Sequence, residues 1–328
     1  MVQESTTNHL YEILDETAEI IADHQDTTYL EALALTGENI YTTNIQQDAL
    51  RQRLEPLYDR FFVEGMTAED VRRAFQLAVL KGMKAAAQPQ HQMTPDAVAL
   101  FMGFLVNKIF PSHSFRILDE AVGTGNLLTA VLNQTNNQAE AAYGVEVDEL
   151  LIKLSNTSAN LQQWTVELFH QDALEPMLLE PVDLTIGDLP VGYYPEKNNA
   201  KKFRLGHNQD KLYSPYLMIE QGLKYTRQAG YLIYLIPNGL FDWDDDKELH
   251  GLLKDEAVVL GLLQLPQTMF KQEQHAKSIL ILQKQGQGVH KPEQAMLAQL
   301  PSFQNEKALA GVMQQIDDWF QEHLFREQ

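Results

Sequence analysis

Four carboxylates stand where apolar runs end: Asp119, Glu146, Asp172 and Asp188. Asp119 opens Asp119-Glu120-Ala121-Val122-Gly123-Thr124-Gly125-Asn126, and Glu146 closes Tyr143-Gly144-Val145-Glu146-Val147-Asp148. Asp172 lies in His170-Gln171-Asp172-Ala173, and Asp188 begins Asp188-Leu189-Pro190-Val191-Gly192-Tyr193-Tyr194. Glycines at 123 and 125 allow a tight turn and a close backbone approach to a ligand. A dinucleotide would set its pyrophosphate over the next helix's N-terminus, where Asp119 repels it; the ammonium of S-adenosylmethionine (SAM) is attracted instead. Leu128 also stands where the third glycine of Gly-x-Gly-x-x-Gly belongs, which disfavours a nicotinamide-dependent oxidoreductase. Glu146 can accept from both ribose hydroxyls and Asp172 from an adenine amine. Singly, an acid after a strand is commonly a helix cap or turn former. The ordered set of four points to a SAM pocket.

The elements that must position these acids alternate. Short apolar strands are expected over 115–119, 142–146, 165–169, 182–187, 230–237, 258–266 and 278–284, with helical stretches between them. Seven such strands imply an α/β fold: a doubly wound, mostly parallel sheet whose ligands bind beyond the carboxyl ends of the strands. Before residue 93 the spacing is helical, as in Leu10-Tyr11-Ile13-Leu14-Ala18-Ile21, and Thr67 with Asp70 forms a capping-box pattern ahead of Val71-Phe75-Ala78-Val79. The expected organisation is a helical domain over 1–92, a catalytic domain over 93–284, and a linker with an amphipathic helix over 285–328. The stripe Leu309, Val312, Met313, Ile316, Trp319 and Phe320 suits docking on the core more than membrane anchoring.

Composition narrows the chemistry. The 328 residues include no cysteine, which excludes disulfides, thiolate metal sites and cysteine nucleophiles, and with them cytosine-C5 methylation. No metal site is expected. The first fifty positions hold ten acids and no Lys or Arg, the opposite of a signal or transit peptide. With no apolar run near the roughly 18 residues of a membrane span, a soluble cytoplasmic protein is the expectation. The formal net charge of -20 opposes unaided binding to nucleic acid.

The motifs together resemble a class I SAM-dependent methyltransferase of the adenine-N6 DNA methylase family, in its small YtxK-like branch related to type I restriction modification subunits. The resemblance spans about residues 90–284 and includes Gln92-Met93-Thr94-Pro95, the Asp-x-Ala-x-Gly-Thr-Gly-Asn motif, and Leu263–Phe270 followed by Ser278–Leu282. It implies that Thr94, Asp119, Ala121, Gly123, Gly125, Asn126, Leu127, Glu146, Val147, Asp172 and Ala173 hold SAM. It also implies that Asp188, Pro190, Tyr193 and Tyr194 form the catalytic loop. There the chain departs from the family, which has Asn or Asp, two prolines and an aromatic; Leu189-Pro190-Val191 follows the acid here, and the tyrosines are displaced. An exocyclic amine has its lone pair delocalised into the ring, so acceptors must grip its hydrogens; Asp188 and the Leu189 or Pro190 carbonyl suit that task. Base stacking on an aromatic is worth about 1–3 kcal/mol against a few for extrusion, so the tyrosines' position matters. The alternative is that Leu-Pro-Val-Gly merely closes the strand while the tyrosines pack on the helical domain.

Lys197, Lys201, Lys202, Arg204 and Lys211 follow this loop and suit phosphate, although a short Lys-rich run is more often a solvated loop. Two readings follow. One is an N-methyltransferase, with adenine in DNA the leading substrate and RNA or a protein amide as variants. The other is a SAM-binding or fold-conserving protein that works by interaction through its acidic helical domain.

Overall fold

The computed structural model describes residues 2–86, 93–135, 138–207, 212–244 and 247–324. Gln92 and Lys211 lie outside the described residues, as does the boundary expected at 92. Helices α1 (Val2–Gln25), α2 (Tyr29–Thr42), α3 (Arg51–Tyr58), α4 (Ala68–Ala86) and α5 (Asp96–Ile109) come first. Alternation follows: β1 (Phe115–Asp119), α6 (Asn126–Gln134), β2 (Ala139–Glu146), α7 (Glu149–Leu161), β3 (Val166–His170) and β4 (Val182–Asp188). Then come α8 (Lys197–Ala200), α9 (Ser214–Tyr225), β5 (Thr226–Pro237), α10 (Glu248–Glu256), β6 (Ala257–Gln264), β7 (Lys277–Lys284), β8 (Met296–Gln299) and α11 (Glu306–His323).

All seven expected strands form, and an eighth is added, in the order β3-β2-β1-β4-β5-β7-β6-β8. β4 runs parallel to β1 and β5, whereas β7 runs against both β5 and β6. The order reverses direction at β1 and β4, the place where an open α/β sheet leaves a crevice at its strand ends. β8 pairs in parallel with β6 from Gly261 opposite Met296 to Gln264 opposite Gln299. It falls within the stretch expected to hold only a linker and a helix; four residues with one buried side chain carry too little alternation to be read as a strand.

The chain divides into two compact units: Met1–Gly103, Val122–Asn137 and Tyr143–His170 form one; Phe104–Ala121, Gln138–Ala142 and Gln171–Gln328 form the other. In the first, α1, α2 and α4 share a single core with α7, whose Leu154 and Leu161 are buried beside Leu10, Leu14, Leu33 and Phe75. Gly37 permits the close approach of α2, since a β-carbon there would meet the Thr157 methyl at 2.1 Å. The capping box at the start of α4 is reciprocal: Asp70 N–H donates to the Thr67 hydroxyl and Thr67 N–H to the Asp70 carboxylate, both at 3.1 Å. In the second unit, α9 and α10 cover strands β5 to β7 with Tyr216, Leu217, Leu252, Tyr234 and Leu280. Of the expected stripe on α11, Ile316 and Phe320 are buried and the other four are half-buried, while Lys108 pairs with Asp317 at 2.7 Å. Among the described residues, no helix is long and apolar enough to cross a membrane.

Candidate cofactor and catalytic site

The glycine turn belongs to the first unit. Gly123 (φ 53°) and Gly125 (φ 80°) adopt left-handed backbone that favours glycine. A β-carbon on Gly125 would also stand 2.8 Å from the Ser155 hydroxyl. Val122 N–H donates to the Val145 carbonyl at 3.0 Å, and Gly123 N–H to Glu146 Oε2 at 3.1 Å, so the turn is fastened to the end of β2. Glu146 Oε1 accepts from the amides of Val147 and Asp148, each at 2.9 Å, and Asp148 caps α7 through Leu150 and Leu151. Three amides thus orient the Glu146 carboxylate. They occupy three of its roughly four acceptor sites, leaving room for one strong hydrogen bond from a ligand hydroxyl where two were expected. Val147, next to it, is 66% exposed, a bare apolar side chain beside a polar anchor.

Thr94 and Asn126 come together in the same unit. Asn126 Nδ2 donates to the Thr94 carbonyl at 3.1 Å, and its Oδ1 accepts from Arg72 Nη1 at 2.7 Å. Both ends of this side chain are used within the protein, so a ligand would meet Asn126 through its backbone N–H at the start of α6. Leu127 is 3% exposed and packs inward from that turn.

In the second unit, buried Asp119 ends β1 opposite Ile186 and accepts from Ala121 N–H at 3.1 Å. Asp172 Oδ1 accepts from Leu174 N–H at 2.9 Å, leaving half-buried Ala173 at the turn. Its Oδ2 accepts from the Tyr194 hydroxyl at 2.5 Å. That hydroxyl also accepts from Asn199 at 2.9 Å, and Tyr194 N–H donates to the Leu212 carbonyl at 2.7 Å. Burial first, and Asp172 beside it, push the Tyr194 phenol well above its ordinary value. Tyr194 therefore braces Asp172 through its hydroxyl.

Asp188 forms an ion pair with Lys277, both mostly buried. Leu189 N–H donates to Leu235 at 3.0 Å as the chain leaves β4, and Pro190 is exposed. Gly192 (φ 149°) lets the loop fold back, its carbonyl accepting from Ser214 at 2.8 Å. Tyr193, 62% exposed, bridges to Tyr213 and meets its ring edge-on at 6.0 Å; Tyr213 in turn meets half-exposed Trp243 at 4.9 Å. Burial, with Tyr193 adding to it, raises the Tyr213 phenol to about 12. Tyr193 packs on this aromatic group, and Tyr194 packs against the core that holds Leu174, Leu189 and Tyr216. Of the basic loop, Arg204 pairs with Asp255 at 2.8 Å and Lys202 with Glu175 at 3.7 Å.

Sequence reasoning missed Arg72, Lys277, Tyr213 and Trp243. Lys277 opens an antiparallel strand, and only the β5–β7 register, with Pro237 opposite it, reveals its position near the end of β4. Arg72 lies in a helical stretch where a charge reads as surface. Among the described residues, no group of three or more His, Asp or Glu side chains is arranged to hold a metal ion.

Two family models match the chain: a YtxK N-terminal helical domain over residues 8–83 and an N-6 DNA methylase domain over residues 83–323. The sequence is 43% identical to YtxK of Bacillus subtilis (strain 168) over 325 residues, covering 97% of this chain and 99% of that protein. It is 24% identical over 226 residues to the methylase subunit of the type I restriction enzyme EcoEI of Escherichia coli, covering 64% of this chain and 45% of the subunit. A candidate class I SAM-dependent methyltransferase of Listeria monocytogenes has a TM-score of 0.89 at 39% identity, over 96% of this chain and 99% of its own. The type I restriction-modification methyltransferase subunit of Streptococcus thermophilus shares the fold, with a TM-score of 0.64 at 15% identity over 93% of this chain and 74% of its own.

Proposed function

Because the chain belongs to the N-6 DNA methylase family and carries a YtxK-type helical domain at its N-terminus, we propose that it transfers a methyl group from SAM to an exocyclic amine, with adenine N6 in DNA the leading acceptor. One observation carries the cofactor assignment: Glu146 is held rigid at the end of β2 by three amides, one from the glycine turn, with exposed Val147 beside it. A fixed acceptor next to a bare apolar side chain suits an adenosine, whose ribose hydroxyl is polar and whose base face is not.

Each remaining residue takes a part that its chemistry suits. Asp119 offers a negative charge to an ammonium, and Asp172, braced by Tyr194, offers an acceptor to the adenine amine of the cofactor. Ala121, Gly123, Gly125, Leu127 and Ala173 supply close backbone and apolar contact, and Thr94 supports the turn through Asn126. SAM, when bound, supplies an electrophilic methyl on a sulfonium. Asp188 accepts a hydrogen of the target amine, draws the nitrogen toward tetrahedral geometry and takes the proton that the methylated nitrogen sheds. Lys277 fixes the direction of that carboxylate. Pro190 and Leu189 shape the loop, and Tyr193 with Trp243 offers aromatic surface for an extruded base.

The locked Tyr194 favours a second reading, a SAM-binding protein of the same fold that has lost base chemistry and acts through its acidic helical domain. Transfer of tritiated methyl from SAM to DNA, RNA and cell extract chooses between them. Label in DNA adenine that vanishes in Asp188→Ala supports the transferase; label in RNA or protein reassigns the acceptor. No label anywhere, in a protein that still binds SAM, leaves the second reading.

A further inference from the structure

α4 is amphipathic, and Val71, Ala74, Phe75, Ala78 and Val79 bury its apolar side. Arg72 lies among them at 1% exposure. A buried guanidinium is costly unless every face of it is bonded, and this one is. Nε and Nη2 donate to the two oxygens of Glu69, each at 2.7 Å; Nη2 also donates to Asp96 at 2.6 Å. Burial alone would lower its proton affinity, but Glu69 and Asp96 more than restore it, so Arg72 is held above its ordinary value. Nη1 is spent on a neutral acceptor, Asn126 Oδ1 at 2.7 Å.

The two carboxylates balance the charge of Arg72. The fourth bond, from Nη1, reaches from the helical domain, matched over residues 8–83, into the first residue after the glycine turn of the methylase domain. Asn126 passes it on through its amide to the Thr94 carbonyl, ahead of Pro95. Glu69, on the same helix, also accepts from Asn133 of α6 at 3.4 Å, and Asn133 accepts from Trp164 at 2.7 Å. α4 thus grips α6 at its first turn and again two turns on, and α6 starts where the cofactor turn ends.

We infer that Arg72 is a positioning residue: acting through Asn126, it sets the glycine turn and the Thr94 segment in the conformation that binds SAM, so that the helical domain controls cofactor affinity. The inference rests on the SAM reading above and adds that the cofactor turn is incomplete without a residue from the N-terminal domain. A hydrogen bond from a charged donor is worth about 1.5–3 kcal/mol, or roughly tenfold to a hundredfold in affinity when it is needed to hold the bound geometry.

The test is calorimetric titration of SAM into the full-length protein and three single variants, with a double-mutant cycle. Arg72→Lys keeps the charge beside Glu69 and Asp96 but loses the fork that reaches Asn126; Asn126→Ala removes the link. Both should weaken SAM binding at least tenfold, and the double variant should be no weaker than Asn126→Ala. Thr7→Val is the control: it removes the buried 3.1 Å bond from Thr7 to Asp70, also on α4, and should lower the melting temperature with SAM affinity within twofold of the parent. Without ligand, Arg72→Lys should speed amide hydrogen exchange over 121–132 and leave α1 unchanged. Additive losses in the double variant, an Arg72→Lys affinity within twofold of the parent, or an equal loss in Thr7→Val would each overturn the inference while the SAM reading stands. A parent protein that binds no SAM overturns both.

Discussion

Replacing Glu120 by glutamine will flatten the dependence of stability on pH. Glu120 follows Asp119 at the end of β1 and is 1% exposed, and among the described residues neither carboxyl oxygen finds a hydrogen-bond partner. The Tyr234 hydroxyl beside it falls short of hydrogen-bond geometry. Burial, chiefly, and the neighbouring Asp119 push the Glu120 carboxyl well above its ordinary value, so the folded protein keeps its proton. In the unfolded chain the same group ionises at about 4.3. Between these values the unfolded state binds fewer protons, so stability falls as pH rises; it is complete only below the unfolded value. The slope is at most about 1.4 kcal/mol per pH unit. By pH 7 the accumulated loss has a ceiling of about 4 kcal/mol. Glutamine cannot ionise, and any penalty for its buried amide is constant with pH. Urea unfolding of both proteins from pH 4 to 8, read by tryptophan fluorescence, measures the difference. The variant's advantage should grow steadily from pH 5 upward. Parallel curves would refute the buried, neutral carboxyl, and so would an advantage that shrinks with pH.

Tyr194→Phe removes the hydroxyl that donates to Asp172 and accepts from Asn199. Its SAM affinity should fall about threefold to tenfold; a fall in methyl transfer with unchanged SAM binding would instead make Tyr194 a base-stacking residue. Lys277→Met removes the partner of Asp188. SAM affinity should stay within twofold while the transfer rate falls at least about tenfold, the size expected for a mispositioned acid–base group; an unchanged rate would remove Lys277 from the site.

The strands were legible because a buried parallel strand needs a continuous apolar run. Phe115–Asp119 occupies the residues that its pattern indicates, and the four acids fall at or just past strand ends. The box at Thr67 and Asp70 was equally plain, being a local exchange of two hydrogen bonds. What stayed hidden depends on pairing between distant segments. Whether Tyr194 stacks or props Asp172 turns on where β3 and β4 end in space. Arg72 finds Asn126 across 54 residues of chain, and Lys277 finds Asp188 across 89. Periodicity reports which way a side chain faces and is silent on which acceptor it meets.

Calorimetric titration of SAM into the parent protein and into Glu146→Ala probes the cofactor pocket itself, on which the roles of Asp119, Asp172 and Asp188 all depend. Saturable one-site binding by the parent, weakened at least about tenfold when Glu146 loses its carboxylate, is the expected result. No heat of binding in the parent, or identical isotherms for the two proteins, would contradict it.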